Sequence, residues 1–141
     1  MPHPTSRLRR PTLLVVGCGD IGLRVLRLLR GRWRLLAVTS SVNRMPLLRA
    51  AGAVPILADL DDPASLWRLG HLADAVLHLA PPPQHGSTDT RTAALVAALA
   101  RGGRARCLVY GSTSGVYGDA AGAKFDETRT VAPATDRARR R

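Results

Sequence analysis

An unbroken apolar run, Thr12-Leu13-Leu14-Val15-Val16, leads directly into Gly17-Cys18-Gly19-Asp20-Ile21-Gly22. The run suits a strand covered on both faces, and the residues after it have helical spacing. A strand entering a helix through G-x-G-x-x-G leaves few folds open, because each glycine answers a separate demand. Gly17 permits the tight turn, Gly19 lets backbone approach a ligand, and Gly22 lets helix and strand pack closely. The helix start adds unpaired N–H groups and a partial positive charge, which suit phosphate. Residues Gly17, Cys18, Gly19, Asp20, Ile21 and Gly22 are therefore the candidate turn for a dinucleotide pyrophosphate. Asp20 is read as a helix cap rather than a phosphate contact. The Cys18 thiol either has a lowered pKa at the helix N-terminus or simply packs.

The alternation continues along the chain. Strands are expected over 34–39, 53–59, 75–80 and 106–111, and helices over 20–30, 45–51, 62–72 and 90–101. In the first helix Ile21, Val25 and Leu28 or Leu29 form the apolar stripe. Asp62 and Pro63 have the signature of a helix start, with Trp67 and Leu72 in its core. Pro55 fits its strand only at the start or at an unpaired position. Strands alternating with helices imply βαβ crossovers, hence an α/β fold with a Rossmann-type doubly wound parallel sheet of about five strands. Residues 1–11 read as a basic irregular leader, 12–118 as the sheet domain, and 119–141 as a loop and the start of a further helix.

A chain of 141 residues fits one domain. The longest apolar run, residues 93–100, is eight long, far short of the ~20 needed to span a bilayer. Two cysteines, Cys18 and Cys107, make neither a disulfide framework nor a zinc motif. These features place the chain in the cytoplasm, with no membrane partner and no metal. The formal charge of +11 raises the question of nucleic acid. Seven basic residues lie within 1–10 and 137–141, while residues 11–136 hold the other 14 against all 10 acids. The excess thus reads as solvated ends, and few aromatics are present for base stacking, so nucleic acid is disfavoured.

Dinucleotide folds that take NAD usually place an acid about 20 residues past the glycines, on the ribose. Here no Asp or Glu occurs between Asp20 and Asp59. The second strand ends instead in Thr39-Ser40-Ser41-Val42-Asn43-Arg44. Hydroxyls and the Arg44 guanidinium suit a ribose 2′-phosphate, so NADP is favoured over NAD.

Gly17 to Gly22, Asp59-Leu60, Leu79-Ala80-Pro81 and Ser112-Thr113-Ser114-Gly115-Val116-Tyr117-Gly118 follow successive strands in order. Together they resemble the short-chain dehydrogenase/reductase superfamily, in its extended and atypical branches of NAD(P)-dependent epimerases, dehydratases and nucleoside-diphosphate-sugar epimerases. The glycine spacing is closer to the atypical branch. The resemblance implies that Asp59 and Leu60 lie by the adenine, and that Leu79, Ala80 and Pro81 line the ribose and nicotinamide side, with Ser112 beside the cofactor. It implies that Thr113 is the catalytic hydroxyl, hydrogen-bonding the reacting oxygen of the substrate, and that Tyr117 is structural or substrate-lining. It also implies a fold that continues past a fifth strand, so the C-terminal part of the fold is expected to be lacking.

One departure bears on chemistry. The family transfers a proton through Y-x-x-x-K, yet the residues four past Tyr110 and Tyr117 are Ser114 and Ala121. Matching Glu127 and Pro133 to the acid and proline before that motif sets Arg137 at the Tyr position and Arg141 at the Lys position. Counting from Tyr117 instead puts Ala138 at the Tyr position, because loop length varies. Neither Arg nor Ala is a general acid at neutral pH. His3, His71, His78 and His85 have no metal-ligand spacing. His78 reads as a core or sheet histidine, and His85 as part of either a lid or an inert surface loop.

Two functions are compatible with this. One is an NAD(P)-binding oxidoreductase or epimerase/dehydratase-like protein acting on an unidentified small molecule, with Thr113 orienting its oxygen. The other is a non-catalytic NAD(P)-binding sensor or docking module. Association with a second copy is left open.

Overall fold

A computed structural model describes residues 9–141. Residues 1–8 of the expected leader, with His3 and Arg7 among them, lie outside the described residues. The strands are β1 (Thr12–Val16), β2 (Arg34–Thr39), β3 (Val54–Leu57), β4 (Ala75–His78) and β5 (Cys107–Tyr110). The helices are α1 (Asp20–Leu29), α2 (Met45–Ala50), α3 (Thr90–Gly102) and α4 (Asp136–Arg139). All strand pairs are parallel, in the order β3-β2-β1-β4-β5. The chain winds outward from β1 to β3, then returns across β1 to β4. That reversal opens a crevice at the C-terminal ends of β1 and β4, where ligands bind in such sheets.

Alternation along β1 and β2 builds two cores. Leu13, Val15, Leu35 and Ala37 meet Leu26 of α1 and Leu48 of α2 on one face. Leu14, Val16, Leu36 and Val38 meet Leu66, Leu69 and Leu95 on the other. The central strand is buried at every position, as its apolar run predicts. Pro55 sits in β3, an edge strand, where a missing N–H leaves no ladder position empty on the outer side. β5 is the opposite edge, with Leu108 and Val109 exposed.

Four local readings are corrected. Residues 62–72 do not form an α-helix. They form two 3-10 turns, Pro63–Leu66 and Leu69–His71, with the Asp62 carboxylate accepting from the Ala64 N–H. Leu66, Leu69 and Leu72 recur every third residue, which is the period of a 3-10 row. Gly70 then lies directly against Gly102 of α3, where a Cβ on either would overlap the backbone of the other. Trp67, one step off the leucine row, is 59% exposed, with the Arg68 guanidinium 5.0 Å from its ring centroid.

The stripe of α1 is also shifted. Gly22 and Leu26 are the buried pair, whereas Ile21 and Leu28 are exposed. The close approach of Gly22 to Gly17 fixes the helix rotation and turns Ile21 toward the crevice. Asp20 is the first helical residue, after Gly19 at the N-cap, and its carboxylate pairs with Arg24 at 2.9 Å instead of capping. Of the two readings of Cys18, packing holds: the residue is buried and its pKa is pushed up to about 11 by that burial, against a smaller opposing effect of Arg44. Packing accounts for this thiol, and a thiolate at the helix start does not.

Candidate functional site

The crevice is a cleft of about 630 Å³. Its floor is the glycine turn. Gly17 has φ +91°, and a Cβ there would overlap the backbone of Ala80. A Cβ on Gly22 would stand 3.0 Å from the Gly17 carbonyl oxygen, while one on Gly19 would meet nothing within 4 Å. The three glycines thus divide their work as the motif requires: turn, open backbone surface, and helix packing. The N–H groups of Leu79 and Ala80 both donate to the Val16 carbonyl, at 2.7 and 3.1 Å, and so hold the end of β4 beside the turn.

The end of β2 forms one flank. Thr39 Oγ1 accepts from the Ser41 N–H at 3.1 Å and donates to its carbonyl at 3.2 Å, so this hydroxyl is spent on its own loop. Arg44 donates from Nη2 to the Cys18 carbonyl at 2.6 Å, tying the loop to the glycine turn. Ser40 is exposed between them and lines the cleft.

Past β3, Asp59 and Leu60 line the next wall. Asp59 Oδ1 accepts from the Asp61 N–H at 2.9 Å, and the Ser65 hydroxyl donates to the Asp59 carbonyl at 2.9 Å. Arg91, in the first turn of α3, grips Asp61 with Nε to Oδ1 at 2.7 Å and Nη2 to Oδ2 at 2.5 Å. Its Nη1 reaches the Pro81 carbonyl at 3.3 Å. These hydrogen bonds hold the Asp61 carboxyl below its ordinary range. One guanidinium therefore joins the loops after β3 and β4.

The far end is built by Gly111, Ser112 and Arg141. Arg141 donates to the Gly111 carbonyl at 2.7 Å and the Ala80 carbonyl at 3.2 Å, with its guanidinium 4.9 Å from the Tyr110 ring centroid. Its neighbour Arg140 holds the backbone of the loop containing His85, donating to Gln84 and Gly86. Thr113 stands one residue beyond the lining. Its Oγ1 accepts from the Gly115 N–H at 3.3 Å, capping the 3-10 turn Ser114–Tyr117.

Neither tyrosine lines the cleft. Tyr110 donates to Asp89 Oδ2 at 3.1 Å. Thr92 Oγ1 donates to the same oxygen at 2.6 Å and accepts from His78 Nε2 at 2.8 Å. The His78 ring is fully buried and its Nδ1 has no partner among the described residues. Burial holds its pKa below 6.5, with the Arg141 charge acting the same way and Asp89 against it. Tyr117 packs on Phe125 at 5.0 Å between ring centroids, and Lys124 is exposed elsewhere.

All six residues of the glycine turn, with Thr39, Ser40, Arg44, Asp59, Leu60, Leu79, Ala80, Pro81 and Ser112, line this one cleft; Thr113 does not. Arg91 and Gly111 line it too, although nothing in the sequence reading marks them. An arginine in the first turn of a helix opposes the helix dipole, and that oddity was the available signal for Arg91. Among the described residues, no three His, Cys, Asp or Glu side chains converge on a metal site. No helix among them is long and apolar enough to cross a membrane.

No protein-family model matches the chain, and no curated protein matches it. Solved structures do. A functionally unknown conserved protein from Silicibacter pomeroyi is 31% identical, with a TM-score of 0.71 over 92% of this chain and 45% of its own. A protein from Methylobacillus flagellatus, assigned as an NAD-dependent epimerase/dehydratase, is 24% identical, with a TM-score of 0.76 over 93% and 48%. A short-chain dehydrogenase/reductase superfamily protein from Agrobacterium tumefaciens, with bound NAD, is 22% identical, with a TM-score of 0.70 over 90% and 40%. The fold is thus that of the epimerase/dehydratase and short-chain dehydrogenase/reductase proteins, in agreement with the motifs. The chain spans about half the length of these relatives.

Proposed function

We propose that the cleft binds a nicotinamide dinucleotide, with NADP preferred over NAD. The observation that carries this reading is the open backbone at Gly19. The N-terminus of α1 meets a cleft there, and a Cβ would meet no protein atom within 4 Å. Gly17 to Gly22 would hold the pyrophosphate, and Asp59 and Leu60 would border the adenine. Leu79, Ala80, Pro81 and Ser112 would border the nicotinamide end. Ser40 and Arg44 would meet the 2′-phosphate, because no carboxylate follows β2 to repel it. The cofactor supplies hydride transfer. The Thr113 hydroxyl proton is in no hydrogen bond among the described residues and would orient a substrate oxygen just past the cleft. Calorimetry with NADPH and NADH tests the reading: NADPH should bind more tightly, and no binding of either overturns it.

A second reading, a non-catalytic nucleotide sensor or docking module, is favoured by one feature. The cleft wall carries arginines and no tyrosine or lysine, so this chain presents no phenol to pass a proton. Turnover of bound NADPH with carbonyl or nucleotide-sugar substrates supports an enzyme, and binding without turnover supports the sensor.

A further inference from the structure

The parallel sheet gives the molecule two chemically different poles, and charge divides between them. Every strand starts, and α1, α2 and α3 end, at the pole opposite the cleft. Arg9 and Arg10 precede β1 there, Arg34 opens β2 and Arg106 precedes β5. The helix ends add Arg27, Arg30, Arg32, Arg49, Arg101 and Arg104. Against these ten arginines stands one acid among the described residues, Asp74, held by Arg104 at 3.1 Å and by the Thr12 N–H at 2.8 Å. The other nine guanidiniums are exposed and have no carboxylate partner among the described residues. The nine remaining acids follow strand ends or open helices at the cleft pole, or lie beyond β5. Counting along the sequence assigns the excess charge to the chain ends, whereas folding collects most of it on one face.

Arginines in last helical turns complement the helix dipoles, which accounts for Arg27, Arg49 and Arg101. It does not account for Arg10, Arg34 and Arg106 at strand starts, where no such dipole exists. Nor does it account for the groove of about 480 Å³ that Arg9, Arg10, Arg104 and Arg106 enclose around Asp74. β2 to β5 spans three strand spacings, about 14 Å, over which a duplex carries about eight phosphate charges.

We propose that this pole is a binding surface for the phosphodiester backbone of duplex nucleic acid, separate from the dinucleotide cleft. Planar guanidiniums take phosphate through two parallel hydrogen bonds. Trp33, between Arg32 and Arg34 at this pole, is half-buried against the core, so its ring is not free to stack on bases and the arginines read backbone.

The test is fluorescence anisotropy of the full chain with a labelled mixed-sequence DNA duplex of about 20 base pairs, at salt from about 50 to 200 mM. Affinity should fall about 100-fold across that range, as release of about four counterions requires. Arg10→Gln with Arg106→Gln should weaken binding about tenfold and flatten the salt slope by about 2, leaving NADPH affinity unchanged. Lys124→Gln with Arg129→Gln, beyond β5, should leave duplex binding unchanged. Absence of binding at the lowest salt, or an equal loss in the Lys124/Arg129 variant, overturns the proposal. So does release of the duplex by saturating NADPH, which would put it in the cleft. Equal competition by polyglutamate would assign the pole to an acidic protein instead, and overturns the proposal as well.

Discussion

Arg44 Nη2 lies 2.6 Å from the carbonyl oxygen of Cys18, so the loop after β2 is fastened to the glycine turn by a charged donor. The contact spends part of a guanidinium that the proposed function also offers to a 2′-phosphate. The remaining donors stay available, because the fork carries five N–H groups. Arg44→Ala removes both roles. NADPH affinity should fall about 10- to 100-fold, the value of a charge-assisted hydrogen bond, while NADH affinity falls less. Paired titration calorimetry checks this; equal losses for the two cofactors would leave Arg44 with a role in the loop only.

The glycines of the turn should separate under substitution. Gly17→Ala combines φ +91° with overlap on the Ala80 backbone, so the fold should lose about 3 kcal/mol or more. Gly19 has φ -74° and open space around it, so Gly19→Ala should keep its melting temperature. Its methyl group would instead occupy the path of the pyrophosphate, lowering cofactor affinity about tenfold or more. Thermal melts beside calorimetry distinguish the two variants.

His78 sets a pH dependence. Burial keeps the folded imidazole below 6.5, so as pH falls the native state takes up this proton later than the unfolded chain, which does so near pH 6.5. The unfolded state then binds more protons as pH falls, and stability declines below about pH 6.5. Urea midpoints at pH 7.5 and 5.5 should differ in the native chain, and the difference should shrink in His78→Gln. The Thr92 hydroxyl retains Asp89 as its acceptor in that variant, so the comparison reports chiefly on the lost titration.

How far the molecule was legible follows from how local each signal is. The strands and the glycine turn depend on neighbours in sequence, through apolar alternation and the needs of backbone without Cβ; β1 and β2 match the expected bounds and the other three strands fall within two residues of theirs. Trp67 did not. Its burial depended on a helix over 62–72, and the pressure of Gly70 on Gly102 selects 3-10 turns there. An arginine at a helix start marks Arg91 as unusual, but its role stays hidden in the sequence because its partners, Asp61 and Pro81, come from two other loops. The charge on the strand-start pole was present in every count, yet it became a surface only once five parallel strands aligned their ends.

The contact of Gly70 with Gly102 yields the last prediction. Between them they let the Leu69–His71 turn press against the end of α3, closing the core beneath Leu66, Leu69 and Leu99. Neither glycine has positive φ, so a change to alanine is resisted by space and not by backbone conformation. Each added methyl must push backbone apart, because no flexible side chain can yield. Gly70→Ala and Gly102→Ala should each cost about 3 kcal/mol, a fall of about 10 °C in melting temperature. Gly103→Ala, at φ +64° with nothing within 4 Å, should cost only about 1 kcal/mol through its left-handed conformation. If Gly70→Ala melts no lower than Gly103→Ala, the close approach of the two segments is not what holds them.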